Sequence, residues 1–407
     1  MPPAANGPHI TVSTSPSERP GASGAPAVPS VTPFPAAPTA AAADVSAGVS
    51  WADPQREQLC AAWLAGLASQ HGLRADTLRP ASADASFRRY LRLDTTAGAP
   101  LIVMDAPPAQ EDCRPFVHVA GLLARAGLKV PEVLAWDEAN GFMLLPDLGN
   151  TTYLAALGGL DTTTPAGLKQ VDGLYHDALD TLVRLQVGGA TAQAELPPYD
   201  RALMTRELQL FPDWYVARHC GVTLTAEQQK VLDESFEHIL RVCLAQPMGL
   251  VHRDFHSRNL MVQPDQPGTA KAPARPGVLD FQDAVWGPLS YDLVSLLRDA
   301  YVDWDEAVQI DWAVRYWERA RKAGVPLSDD FGNFWRDVEW MGLQRHLKVL
   351  GIFCRLNYRD GKAQYLDDLP RVWRQAHHVA SRYSVLRPLS RLLEDLGGVA
   401  VQFGYTF

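Results

Sequence analysis

The sequence contains no apolar run approaching the roughly 20 residues that a bilayer span needs, so no membrane helix is expected. Its five cysteines, Cys60, Cys113, Cys220, Cys243 and Cys354, are far apart. They form no CxxC pair and no zinc spacing, so free thiols in a reducing compartment are expected. No block of Lys or Arg stands out and the formal net charge is -9, which leaves no electrostatic footprint for nucleic acid. The N-terminus lacks the basic segment and compact apolar core of a secretory signal. These absences point to a cytoplasmic protein, expected to be a monomer without membrane or nucleic-acid partners.

What is present divides the chain in three. Residues 1–48 are mainly Pro, Ala, Ser, Thr and Gly. Such a stretch buries too little apolar surface to offset its ordering entropy, so a disordered tail is expected. Residues 49–147 open with Leu59, Trp63 and Leu67, four apart, which predicts a helix. A predicted hairpin follows, Phe87–Leu93 with Leu101–Asp105, then a helix near 115–126 with Asp112 as a possible cap. Two more strands, Val133–Trp136 and Phe142–Leu145, are joined by a turn at Asn140-Gly141. Residues 148–407 are mostly helical in pattern, interrupted by short strands near Leu250-Val251 and Val278-Leu279. A Pro-, Gly- and Ala-rich loop is expected at 263–277. The fold class is α+β: a small antiparallel β lobe, a hinge near Pro146-Asp147 and a larger α-helical lobe.

The densest polar cluster is Val251-His252-Arg253-Asp254-Phe255-His256-Ser257-Arg258-Asn259-Leu260. Phosphoryl transfer to a hydroxyl needs a carboxylate to accept the proton and oxygen ligands to hold a cation against the phosphates. Asp254 supplies the first, and Asn259, five residues on, supplies a metal ligand. This is the spacing H-R-D-x-x-x-x-N of kinase catalytic loops. A second apolar strand ends at Asp280, in Leu279-Asp280-Phe281-Gln282, where a kinase carries D-F-G; Asp280 is a second candidate metal ligand. Asp292 opens a later helix. It can cap that helix or accept N–H groups from the catalytic loop, and the scaffold reading is preferred for it, with His252.

These residues resemble the aminoglycoside phosphotransferase and choline kinase superfamily, over about residues 50–385. The resemblance implies a two-lobed protein-kinase-like fold, ATP as donor and Mg²⁺ as cofactor. The segments Asp84–Tyr90, Val103–Pro108, Leu279–Ala284 and Leu297–Tyr301 look more narrowly like bacterial kinases of amino sugars. Those enzymes phosphorylate the anomeric hydroxyl of N-acetylmuramate and N-acetylglucosamine. The resemblance implies a sugar 1-phosphate product feeding salvage toward a nucleotide-linked cell-wall precursor. The alternatives are another kinase of the superfamily, acting on an aminoglycoside, choline, homoserine or methylthioribose, and a nucleotide-binding pseudokinase.

The β lobe departs from the kinase pattern. No glycine lies between Ala83 and Tyr90, and the strand 101–105 has Met104 and Asp105 where a Lys is expected. Lys129 is the lone lysine between Trp51 and Asn150, and the helix 115–126 has no Glu. Arg88, Arg89 and Arg92 are the candidates to offset phosphate charge, Arg88 and Arg92 on one strand face and Arg89 on the other. Ser86 could add a donor. The run Leu145–Gly149, with Asp147, fits a hinge that meets the nucleotide base. In the α lobe, His256, Asp283 and Arg298 are the main substrate candidates, with Trp214, Tyr291, Arg345 and His346 behind them. A lactyl carboxylate would pair with Arg or Lys. Trp312, Trp317, Trp335, Trp340 and Trp373 are expected to pack the α lobe.

Overall fold

A computed structural model describes residues 49–51, 53–83, 88–263 and 276–397, except the side chains at 82 and 83. The predicted tail at 1–48, Ser86 and most of the predicted loop at 263–277 lie outside the described residues.

The chain begins with α1 (Pro54–His71). Asp53 caps it through the Gln55 N–H at 2.8 Å, and Pro54 takes the first helical position, where its missing N–H costs nothing. The buried side of α1 is centred on Cys60 and Leu64, with Trp63 and Leu67 partly covered. Leu59, expected in the stripe, is exposed. Five strands follow: β1 (Leu73–Ala83), β2 (Arg89–Thr95), β3 (Leu101–Asp105), β4 (Ala135–Asp137) and β5 (Phe142–Pro146). They form one antiparallel sheet in the order β1-β2-β3-β5-β4. The turn into β5 depends on Gly141, at φ 72°; a Cβ there would sit 1.9 Å from the Ala106 carbonyl oxygen. Helix α2 (Arg114–Arg125) crosses between β3 and β4. Its N-cap is Cys113, and Asp112 accepts the Arg114 N–H from just outside.

β1 was not predicted. It carries Arg74, Asp76, Arg79 and Pro80, and its pairing to β2 is broken by two irregularities. Proline and charge are tolerated there because β1 is an edge strand.

Strand alternation gives the sheet two faces. Leu91, Leu93, Val103, Phe142 and Leu144 pack against α1 in a small core of their own. Met104, Met143 and Leu145 point the other way and join α2 and the helical lobe in the main core.

β5 ends at Pro146 and the chain enters α3 (Tyr153–Gly158), α4 (Pro165–Gly188) and α5 (Arg201–Leu210). A π-helical stretch, Phe211–His219, prolongs α5 before α6 (Ala226–Leu244). Short strands β6 (Met248–Val251), β7 (Leu260–Met261), β8 (Gly277–Val278) and β9 (Val285–Pro288) come next. The pairs are β6 with β9 and β7 with β8. The lobe closes with α7 (Ser290–Leu297), α8 (Glu306–Lys322), α9 (Phe331–Asp360), α10 (Leu369–Arg382) and α11 (Arg387–Gly397). Trp312, Trp335, Trp340 and Trp373 are buried in its core and Trp317 is partly so. No described helix is long and apolar enough to cross a membrane.

Candidate active site

The segment His252–Asn259 runs from the end of β6 to the start of β7, so two strands pin its ends. Three buried carboxylates brace it from within the helical lobe. Asp292 of α7 accepts the N–H of His252 at 2.7 Å on one oxygen and that of Arg253 at 2.9 Å on the other. It does not cap its own helix. Burial pushes the Asp292 carboxyl up to about 7 against these two bonds. Asp299 accepts both the N–H and the hydroxyl of Ser257, at 2.9 and 2.5 Å. Glu207 of α5 takes the Arg253 guanidinium at 2.5 Å. Each such bond contributes on the order of 1–3 kcal/mol, and an unpaired buried group costs as much. Arg253 has φ 77° and Asp280 has φ 63°, the two positive-φ residues other than glycine among those described. Strained backbone of this kind persists where surrounding structure over-determines it.

The braced loop presents Asp254 to a cleft of about 870 Å³ between the lobes. Burial raises the Asp254 carboxyl, but its electrostatic interactions with His256, Lys348, Arg345 and Arg253 outweigh it and hold the group below the ordinary carboxylate range. The His256 Nε2 stands 3.9 Å from Asp254, and its Nδ1 is buried without a hydrogen bond. Burial holds this imidazole below its usual pKa. His252 makes no approach to the cleft. Its Nδ1 accepts the Asp254 N–H at 3.2 Å. Asn259 Nδ2 lies 3.0 Å from the Asp254 carbonyl and 3.4 Å from Asp280 Oδ2, so the loop and the end of β8 converge. Gln282 donates to the other Asp280 oxygen at 2.8 Å.

The β lobe roofs the cleft with Arg88, Tyr90 and Arg92, one face of β2 and its approach. Arg88 Nη2 comes within 4.0 Å of Asp280. Arg92 instead clamps Asp147 at the hinge, at 2.5 and 3.0 Å. Asp147 lines the cleft and also accepts the Gly149 N–H at 2.9 Å.

Arg89 corrects the sequence reading. It lies on the α1 face of the sheet, opposite Asp105 in register. There it pairs with Asp105, donates to the Ser50 carbonyl at 2.9 Å and covers the Trp51 ring at 4.3 Å. Arg56 of α1 pairs with the same carboxylate. Asp105, at the place expected for a kinase lysine, is thus buried beneath two arginines, away from the cleft.

On the α-lobe side the cleft is lined by His256, Asp283, Tyr301, Arg345 and Lys348, among others. Arg298 is a second correction. It is buried against Glu339 at 3.7 Å and lies over the Trp335 ring, outside this cleft. His346 Nε2 donates to the Arg298 carbonyl at 3.1 Å, deep in the lobe, and Trp214 and Tyr291 also stay out of the lining. Sequence reasoning missed Glu207, Asp299 and Lys348.

Among the described residues, no three or more His, Cys, Asp or Glu side chains gather as a metal site. Asn259 and Asp280 offer two neighbouring oxygen-bearing side chains beside Asp254. That set fits a hard cation taking its remaining ligands from phosphate oxygens and water.

Residues 77–326 match the phosphotransferase enzyme family. The chain is 48% identical over 319 residues to the N-acetylmuramate/N-acetylglucosamine kinase of Pseudomonas aeruginosa, covering 78% of this chain and 88% of that protein. It is 45% identical over 328 residues to the protein of the same name from Neisseria meningitidis serogroup B, covering 80% and 93%. Among solved structures, amicoumacin kinase hAmiN in complex with AMP-PNP, Ca²⁺ and Ami is similar in fold, with a TM-score of 0.52 at 14% identity. That likeness covers 83% of this chain and 98% of that one.

Proposed function

The chain belongs to the phosphotransferase enzyme family, and on that premise we propose that it transfers the γ-phosphoryl group of ATP to the anomeric hydroxyl of N-acetylmuramate or N-acetylglucosamine. The observation that carries the reading is the convergence of Asp254, Asn259 and Asp280 on one cleft between the lobes. The names of the relatives supply the acceptor class. The product is a sugar 1-phosphate, suited to salvage into a nucleotide-linked cell-wall precursor. Every group invoked comes from one chain, so a monomer suffices, and the reading places it in the cytoplasm.

Asp254 receives the hydroxyl proton as the sugar oxygen bonds to the γ-phosphorus and the bond to ADP breaks. The cations around Asp254 keep it ionised and ready to accept. A hemiacetal hydroxyl is more acidic than an ordinary alcohol, so a low carboxylate pKa is no obstacle. A loose transition state asks little of the nucleophile, and the site must mainly align that oxygen. Mg²⁺, held by Asn259 and Asp280, would neutralise charge on the phosphate oxygens. Arg88 adds a cation from the roof, and the backbone near Asp147 meets the base.

The test uses the methyl glycoside, which blocks the C1 oxygen and keeps every other hydroxyl. Free N-acetylglucosamine or N-acetylmuramate should consume ATP, and the methyl glycoside should not. Equal turnover of the glycoside places transfer elsewhere and overturns the anomeric assignment.

A further inference from the structure

We propose that Arg345 binds the carboxylate of an acidic acceptor sugar and so sets the preference for N-acetylmuramate over uncharged analogues; this deepens the reading above and rests on it. Arg345 lies on α9, 5% exposed, and lines the cleft. Among the described residues it makes no hydrogen bond and no ion pair, and its contact is with the Tyr291 ring at 5.8 Å. A buried guanidinium normally has an anion beside it, because leaving water is costly without one.

Several other cations of the cleft are held by carboxylates. Lys348 is held by Glu207 at 2.9 Å and donates to the Tyr291 hydroxyl at 2.9 Å. Arg253 is held by Glu207, Arg92 by Asp147 and Arg359 by Asp360. Among the described residues, Arg258 and Arg355 also line the cleft without a carboxylate in contact, but Arg258 is exposed over the Tyr301 and Tyr365 rings and Arg355 is only half-buried, so Arg345 is the fully buried cation of the three. It is near enough to Asp254 for their charges to interact, yet forms no ion pair with it.

That position suits an acidic amino sugar. With the C1 oxygen at Asp254, a lactyl group on C3 projects from another edge of the same ring. A cation close to the base but not touching it is where the carboxylate can fall. A guanidinium grips a carboxylate with two parallel bonds, which an uncharged amide cannot reproduce. A cationic acceptor would meet repulsion at this point.

The experiment compares N-acetylmuramate with its carboxamide, in which the lactyl group is kept and the charge removed. Each is assayed for kcat/KM with wild type, Arg345→Gln and Arg345→Lys, and ATP KM is measured alongside. Wild type should prefer the acid at least tenfold. Arg345→Gln should bring the ratio close to one, and Arg345→Lys should retain part of the preference. Using the ratio cancels any general loss from disturbing the site. An unchanged acid-to-amide ratio in Arg345→Gln overturns the proposal while leaving the kinase reading intact. So does a rise in ATP KM with no change in ratio, which would give Arg345 to the nucleotide phosphates. If Arg345→Gln does not fold, Arg345→Met takes its place in the same comparison: an acid-to-amide ratio near one supports the proposal, and a ratio equal to wild type's overturns it. If wild type phosphorylates neither free sugar, the parent reading fails and this inference with it.

Discussion

Arg88 of the β lobe extends its Nη2 to within 4.0 Å of Asp280 of the α lobe, so a cation and a candidate metal ligand meet across the cleft. The strand that should bring a lysine to this point carries Met104, buried in the core, and Asp105, buried under Arg56 and Arg89. On the proposed function the cationic role falls instead to Arg88, just ahead of β2 on its cleft-facing side. Arg88→Ala should raise KM for ATP about tenfold, with a smaller effect on KM for the sugar, as expected for one charge-assisted phosphate contact. Arg89→Ala should leave KM for ATP unchanged and lower the melting temperature, since Asp105 loses one of two partners. Steady-state titration of ATP on both variants checks this, and matching ATP KM values for Arg88→Ala and wild type would refute it.

The loop chemistry separates into two kinds of loss. Asp254→Asn should cut kcat on the order of 10²-fold or more, the usual effect of removing a general base, and no Mg²⁺ concentration should restore it. Asn259→Ala and Asp280→Ala should shift the Mg²⁺ concentration for half activity upward, because each removes an oxygen ligand from a hard cation. Mg²⁺ titrations of the three variants beside wild type distinguish the roles. Superimposable curves for Asn259→Ala and wild type would take the metal away from that residue.

The parts of the site that the sequence made legible are those held within a single short segment. His252 to Asn259 and Leu279 to Asp283 could be read because spacing along the chain carries their chemistry. Alternation correctly put Arg88 and Arg89 on opposite faces of a strand. Which face looks into the cleft depends on where α1 packs, and that is a tertiary fact. Arg298 went wrong for a related reason: its carboxylate partner, Glu339, comes from another helix, and nothing local marks the pair. β1 was hidden by Pro80 and its charges, which an edge position tolerates. Asp299 and Glu207 brace the loop from far along the chain, so only the assembled lobe reveals their roles.

Glu207 gives the fold a specific dependence on pH. Its carboxylate is buried, with Lys348 at 2.9 Å, Arg253 at 2.5 Å, Gln344 at 3.2 Å and the Tyr199 hydroxyl donating to it. Burial alone would raise its pKa, but Lys348 and Arg253 outweigh that and lower it from 4.5 to about 2. A carboxyl whose folded pKa is depressed contributes stability that is fully present above its unfolded pKa. That stability is lost as pH falls through the folded value, here between about 4.5 and about 2. The gap corresponds to roughly 3 kcal/mol. Glu207→Gln keeps the shape and removes the charge, leaving Arg253 and Lys348 buried without their anion. At pH 7 the variant should be less stable by about that amount, by denaturant unfolding, with kcat reduced because Arg253 no longer anchors the loop. As pH falls from about 4.5 toward about 2, the unfolded wild-type chain binds the Glu207 proton first and the folded protein only near the lower value, so the advantage is lost and the two stability curves should converge. Comparing the difference between the proteins removes the contribution of every other titrating group. A difference that stays constant from pH 7 down to the acid transition would show that Glu207 does not carry this charge in the folded state.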